Sequence, residues 1–190
     1  MPYFQTSYTS IYVSINGFLM FGTNPASPSN LWSSNAGSRY QITGPYLIAP
    51  YMFDFKSSSG GNIYYRRITD AATLTAIAAE ISSSLSVSAT SFTPNNAFVF
   101  TWNAVKPFAA ISGTGSFQII FSTDGTDSYM TLYYTGCLPS DGRANSVGLP
   151  YSTFEYLNAN NLLARNDFSN PCTSSNINQN GIWIFPLFLG

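Results

Sequence analysis

Histidine is absent from all 190 residues. Without it the chain cannot build a Ser-His-Asp or Cys-His nucleophilic site, a histidine-ligated zinc, or the commonest general base. Charge is nearly as scarce. Seven Lys/Arg and eight Asp/Glu amount to 8 % of the chain, with a net charge of −1, about a third of the roughly 25 % usual in soluble domains. Seven cations against eight anions cannot supply the basic stripe that neutralises phosphates, so nucleic acid is excluded as a partner. No run of about twenty apolar residues is present, which excludes membrane insertion through a helix, and the segment after Met1 lacks the charged-then-apolar layout of a secretory signal. No Asn-x-Ser/Thr acceptor for N-glycosylation occurs. Neither a cofactor nor a resident metal is expected, and the balance leans toward a binding or structural module.

Cysteine occurs twice. Cys137 and Cys172 fall in a loop-rich stretch bounded by Gly136 and Pro171, a setting in which secreted proteins place a single staple. They are expected to pair, closing a loop for a stabilisation of roughly 3–4 kcal/mol; the alternative is two unrelated small buried side chains. Polarity otherwise comes from Ser, Thr, Asn, Gln and Tyr. Such a surface resists association less strongly than a charged one, so self-association is a live expectation.

What the chain has in quantity is aromatic residues, 16 %, set in alternating patterns. Ile11, Val13 and Ile15 alternate with Tyr12 and Ser14, and Asn16-Gly17 leads into Phe18–Phe21, a hairpin with a tight turn. Residues 23–46 form a long connection with no sustained period. Leu47–Phe55 reads as a largely buried strand, in which Pro50 marks an edge or a bulge because it cannot donate to a ladder. Ser57–Gly61 is a turn, and Asn62–Ile68 returns as a strand. Asp70 is a helix N-cap, followed by Leu74, Ile77, Ala78, Ile81 and Leu85 in one apolar stripe that predicts a helix over about 70–85 lying on a sheet. Ala97–Val105 is a core strand with Phe98, Phe100 and Trp102 on one side. Phe117–Ser122 and Tyr129–Tyr134 flank the turn residues 123–127 as a second hairpin. Residues 136–180 are polar and irregular, and Gly181–Leu189 closes the chain as a strand. About seven strands, two long loops and one helix define an all-β chain, an antiparallel β-sandwich or partly open barrel with one α-helix packed on a sheet. With no internal repeat and no linker, residues 1–190 read as a single domain.

These segments, taken in order, resemble the nidogen-like extracellular (NIDO) domain found in nidogens, alpha-tectorin and some membrane mucins. Tyr8–Gly22 looks like the family's opening hairpin, with Asn16-Gly17 between an aliphatic strand and an aromatic one. Ile48–Asp54 resembles its aliphatic-x-Pro-aromatic strand ending in Asp, and Gly61–Arg66 its Gly-x-aliphatic-Tyr-Tyr-Arg. Phe98–Val105 is similar to its Thr-Trp strand, Phe117–Gly125 to its Phe-Gln hairpin, and Gly181–Phe185 to its closing Gly-x-Trp-x-Phe. The motifs run from about Tyr3 to Leu189; residues 136–180 and the low charge content depart from the family pattern. The resemblance implies an extracellular, non-enzymatic module of larger adhesive or matrix proteins, with no catalytic residues to carry over.

Individual residues narrow this reading. Asp124, Asp127 and Asp141 could offer oxygen ligands to calcium, but their spacing fits no EF-hand, and a turn in which Asp124 bonds the backbone is favoured. Asp54, in an otherwise apolar strand, needs a partner if buried, and Arg66 or Arg67 on the neighbouring strand is expected to form a structural ion pair with it. Asp54 with Glu80 or Glu155 could in principle hydrolyse glycosides, yet nothing in their spacing singles them out. Aromatics in strands, Tyr64-Tyr65 among them, are expected to serve packing. Those in polar loops, Trp32, Tyr40, Tyr151, Phe154 and Tyr156, are candidates for contacting a partner. The sequence therefore points to association with other extracellular proteins or with copies of itself, through strand edges and the loops at 23–46 and 136–180. A glycan-binding module using exposed Tyr and Trp, and a subunit that self-assembles edge to edge, are the alternatives. With so few charges, association is expected to depend little on salt.

Overall fold

Period-two alternation drives the longer described segments into antiparallel strands. The computed structural model describes residues 2–3, 6–22, 47–85, 92–108, 112–137, 146–148 and 171–187. In chain order these form β1 (Pro2–Tyr3), β2 (Thr6–Ser7), β3 (Ile11–Ser14), β4 (Phe18–Phe21), β5 (Leu47–Met52), β6 (Asn62–Ile68), α1 (Ala71–Leu85), β7 (Asn96–Val105), β8 (Gly115–Thr123), β9 (Ser128–Gly136), β10 (Ser146–Gly148) and β11 (Ile182–Pro186). β1 and β2 pair as a small ribbon; the others make a four-stranded sheet, β10-β5-β4-β3, and a five-stranded sheet, β11-β9-β8-β7-β6. The pairings are antiparallel throughout. The β-rich sandwich expected from the sequence is thus what forms, with open sheets rather than a closed barrel.

The five-stranded sheet is covered on both faces, and strand parity assigns each residue to one of them. Phe100 and Trp102 of β7, Phe117, Ile119 and Phe121 of β8, Met130, Leu132 and Tyr134 of β9, and Trp183 and Phe185 of β11 point toward the four-stranded sheet. There they meet Leu19, Phe21, Ile48, Tyr51, Phe53 and Phe55 in one apolar layer. The alternate residues Ala97, Val99, Tyr129 and Ile184 face the other way and pack with Ile68 and Phe92 under the helix residues Leu74, Ile77 and Ile81. Each fully buried side chain of this size contributes about 2–3 kcal/mol. The inter-sheet layer is largely aromatic: Trp102 stacks on Phe117 at 4.9 Å between centroids, and Tyr51 lies 5.5 Å from Phe117.

Polar tips inside this layer reach backbone acceptors in the opposite sheet. Trp102 Nε1 donates to the Ser14 carbonyl at 2.9 Å, and Tyr134 Oη donates to the Pro50 carbonyl at 2.5 Å. Burial pushes the Tyr134 hydroxyl well above its ordinary range, which favours the protonated form that donates this bond. Pro50 is accommodated by a bulge: Met52 pairs with Ser146 and Ala49 with Gly148, leaving one more residue on β5 than on β10. β5 ends at Met52, earlier than the alternation suggests, and Phe55 rejoins the fold through a single bridge to Pro107.

The first hairpin departs from a two-residue turn. Ser14 pairs with Phe18, so the loop is Ile15-Asn16-Gly17, and Gly17 alone takes a left-handed φ, +75°. A two-residue type I′ turn needs two such residues; a three-residue loop needs one. The reason Asn16 stays extended or right-handed is its second task. Its carbonyl accepts from Phe53 N–H at 3.1 Å and its side chain from Phe55 N–H at 3.0 Å, while the Gly17 carbonyl accepts from Tyr51 N–H at 3.3 Å. The turn is clamped to the segment that follows β5.

The helix begins where the sequence places it. Asp70 Oδ1 accepts from Thr73 N–H at 2.9 Å, and the Asp70 carbonyl accepts the first helical bond, from Leu74. The side-chain and backbone hydrogen bonds from Thr73 hold the Asp70 carboxyl below its usual range.

Two predictions follow from these local geometries. A Cβ on Gly17 would stand 1.9 Å from the Tyr51 carbonyl oxygen, so Gly17→Ala is expected to cost at least about 3 kcal/mol, from overlap with backbone plus the left-handed φ, measured by urea unfolding. A depressed carboxylate stabilises above its unfolded pKa, and that contribution is lost as pH falls through the folded value. Asp70→Ala should therefore lower the melting temperature at neutral pH, and the gap from wild type should close below the usual carboxylate range.

Candidate functional site

A sheet with both faces covered has only its edges left to offer, and the two edges of the five-stranded sheet are treated differently. β11 carries its own plug. Asn176 Nδ2 donates to the Ile184 carbonyl at 2.6 Å and its Oδ1 accepts from Ile184 N–H at 3.0 Å, while Ser175 Oγ donates to the Ile182 carbonyl at 2.6 Å. These side chains occupy the positions a sixth strand would take. The turn that presents them is fixed by the disulfide between Cys137 and Cys172, whose Cα atoms are 6.1 Å apart across 35 residues, by Trp183 Nε1 donating to the Pro171 carbonyl at 3.2 Å, and by Gly181, where a Cβ would come 2.7 Å from the Tyr134 carbonyl.

β6, the opposite edge, has no such plug among the described residues. Its seven residues pair with β7 along their whole length, and five of them, Asn62 and Tyr64–Arg67, are exposed, Tyr65 to 83 % and Tyr64 to 53 %. Tyr64 and Arg66 lie on the helix side with Thr101 and Val99 opposite; Tyr65 and Arg67 lie on the other, opposite Phe100 and Phe98. Arg67 spans the edge to Asn96, with Nε to Oδ1 at 2.8 Å, and stands 5.9 Å from the Phe98 ring. Beside Tyr64 and Arg66 a groove of about 480 Å³ opens where α1 stops covering the sheet, floored by Val99, Thr101, Gln118 and Ile120. At the start of β6, Phe108 is 63 % exposed beneath the Lys56 ammonium. The four-stranded sheet has a shorter open edge in β3, where Tyr12 and Val13 are exposed.

The residues singled out from the sequence fall as follows. Trp32, Tyr40, Tyr151, Phe154 and Tyr156 lie outside the described residues, as do Asp141 and Glu155. Asp54 is half-buried after β5, its carbonyl accepting from Phe108 N–H at 2.6 Å. The contacts of the two arginines run to Asn96 for Arg67 and, electrostatically, to Asp70 for Arg66. Asp124 acts as a turn residue: its Oδ1 accepts from Thr126 N–H and Asp127 N–H, each at 2.8 Å. Among the described residues no cluster of His, Cys, Asp or Glu is arranged to hold a metal ion. Glu80, on α1 in the helix layer, accepts a 2.5 Å hydrogen bond from the Tyr133 hydroxyl, whereas Asp54 belongs to the other sheet layer, so the two do not form an acid–base pair. Burial, then this bond, pushes the Tyr133 hydroxyl above its ordinary range. Among the described residues no helix is long and apolar enough to cross a membrane.

Tyr64-Tyr65 is the correction to the sequence reading: as strand aromatics they are expected to pack, and they are exposed. The signal that finds them is the neighbouring Arg66-Arg67, because four large polar-tipped residues in succession leave neither face of a strand apolar.

The family model of the nidogen-like domain matches residues 9–187. The chain belongs to the nidogen-like domain family, and it is extracellular. It is 29 % identical to mouse nidogen-2 over 142 residues, covering 70 % of this chain and 10 % of that one. It is 25 % identical to mouse nidogen-1 over 215 residues, covering 97 % and 16 %, and 25 % identical to chicken alpha-tectorin over 201 residues, covering 97 % and 9 %. The chain thus spans between 9 % and 16 % of the length of these curated relatives. No solved structure matches it.

The plug on β11 generates its own test. Asn176→Ala removes both bonds to Ile184 and is expected to cost about 1–3 kcal/mol and to expose a strand edge. Sedimentation velocity should then show concentration-dependent association beyond that of the wild type; an unchanged profile would mean that the side chain is not what closes this edge.

Proposed function

We propose that this domain is a non-catalytic protein–protein association module of the extracellular matrix, working through sheet edges rather than through a cleft. The observation that carries the reading is the unplugged β6 edge, with Tyr64, Tyr65 and Phe108 exposed in a member of the nidogen-like family. Exposed tyrosines bring large apolar area with little side-chain entropy to lose and a hydroxyl for the rim, which is why they recur where proteins meet. The relatives named nidogen and alpha-tectorin support placing that association in a matrix.

The same tyrosines suit a sugar ring, and open edges suit pairing between copies, so the test separates the three. Labelled domain is applied to cell-free matrix laid down by cultured cells, after treatment with either a protease or a mixture of glycosidases. Binding is expected to be lost after protease and retained after glycosidase. Binding that survives protease and disappears with glycosidase would replace this reading with the sugar-binding one. A domain that forms oligomers alone and ignores the matrix would replace it with self-assembly.

A further inference from the structure

Four of the seven Lys/Arg lie in described segments: Arg66 and Arg67 toward the end of β6, and Lys56 and Lys106 near its start. Arg66 and Arg67 project from the strand itself. Lys106 follows the end of β7 and its side chain lies against Gly60, just before β6 begins; Lys56 N–H donates to the Lys106 carbonyl at 2.9 Å. Of the acids nearest in sequence, Asp70 caps α1 and lies within electrostatic reach of Arg66, and Asp54 lies half-buried. A chain with a net charge of −1 therefore carries a cationic margin on the one long sheet edge that lacks a plug among the described residues.

Resting on the association reading above, we infer that the β6 edge binds an extended peptide segment of a partner protein that carries acidic side chains at alternate positions, added antiparallel or parallel as a sixth strand. Three features select this occupant. The outward N–H and C=O groups of β6 recur at every second residue, a spacing that an extended peptide matches. Arg66, on the helix side with Tyr64, would meet the carboxylates, which alternate spacing sets together on that one face of the added strand. The groove beside Tyr64 and Arg66, with Thr101 and Gln118 in its floor, would receive one side chain of the added strand. A second copy of β6 is disfavoured there, because two cationic margins would be brought together. Whole-chain composition points to association indifferent to salt; the placement of these cations makes binding at this edge salt-sensitive.

The probe is a synthetic peptide of alternating Glu and Val, about as long as β6, titrated by fluorescence anisotropy against the disulfide-intact domain. Three companions are a Lys-for-Glu version, a version N-methylated at alternate backbone amides, and a sulfated oligosaccharide. The Glu peptide is expected to bind, to weaken at least about tenfold between about 0.05 and 0.5 M salt, and to lose binding on N-methylation. Arg66→Glu and Lys106→Glu, both at exposed positions, should each weaken it about tenfold with an unchanged melting temperature. Equal binding of the Lys or N-methylated peptide, no binding of the Glu peptide, or binding of the sulfated oligosaccharide alone would overturn the inference. If both variants still bind protease-sensitive matrix as the wild type does, the edge assignment fails while the general reading stands; if the wild type itself does not bind matrix, the general reading fails.

Discussion

A sheet buried on both faces can meet the outside only along its margins, and this constraint organises the molecule. The five-stranded sheet gives one face to an aromatic layer shared with the four-stranded sheet and the other to α1. What is left is two rows of backbone donors and acceptors. One row is occupied internally by Ser175 and Asn176; the other ends in exposed tyrosines and arginines. Hydrogen-bond potential left open on a long strand invites pairing, so the asymmetry between the margins, more than any pocket, is what gives the fold something to do.

The rest of the architecture keeps that margin rigid. The sheets are held together by polar atoms that reach from one layer to the other through apolar surroundings, Trp102 to Ser14 and Tyr134 to Pro50, and by the Asn16-Gly17 turn against Tyr51–Phe55. Each contact is formed in a region where an unmade hydrogen bond costs about 1–3 kcal/mol, so each fixes register as well as adding stability. The disulfide does the same for the turn that plugs β11. Electrostatics then acts locally: few charges are present, and those of positive sign in the described segments sit on β6 (Arg66, Arg67) or near its start (Lys56, Lys106).

Much of this was legible in the residues because it is local. Asp70 and the Leu74–Ile77–Ile81 stripe define the helix within a few turns, and the alternation in Ala97–Val105 separates the two faces of β7. Pro50 announces an edge or a bulge because its missing N–H cannot join a ladder, and the pairing with β10 resolves it as a bulge. What was not legible depends on distant partners. The length of the first turn is decided by what Asn16 must also bond, 39 residues away at Phe55. β10 is three residues, Ser146–Gly148, with neither apolar run nor alternation, and it exists because β5 offers it a ladder. How far α1 and the four-stranded sheet reach over β6, covering Ile68 but leaving Tyr64 and Tyr65 exposed, is set by tertiary packing, and the sequence hints at it only through the adjacent Arg66-Arg67.

Amide hydrogen exchange of the free domain under native conditions addresses the central claim, that one margin of the sheet is closed and the other open. The Ile184 amide, bonded to Asn176 Oδ1, should exchange as slowly as amides of the central strand β8, while every second amide of β6 exchanges orders of magnitude faster, as solvent-facing groups do. Equal protection along both margins would contradict the account, because it would mean that β6 is already covered in the protein on its own.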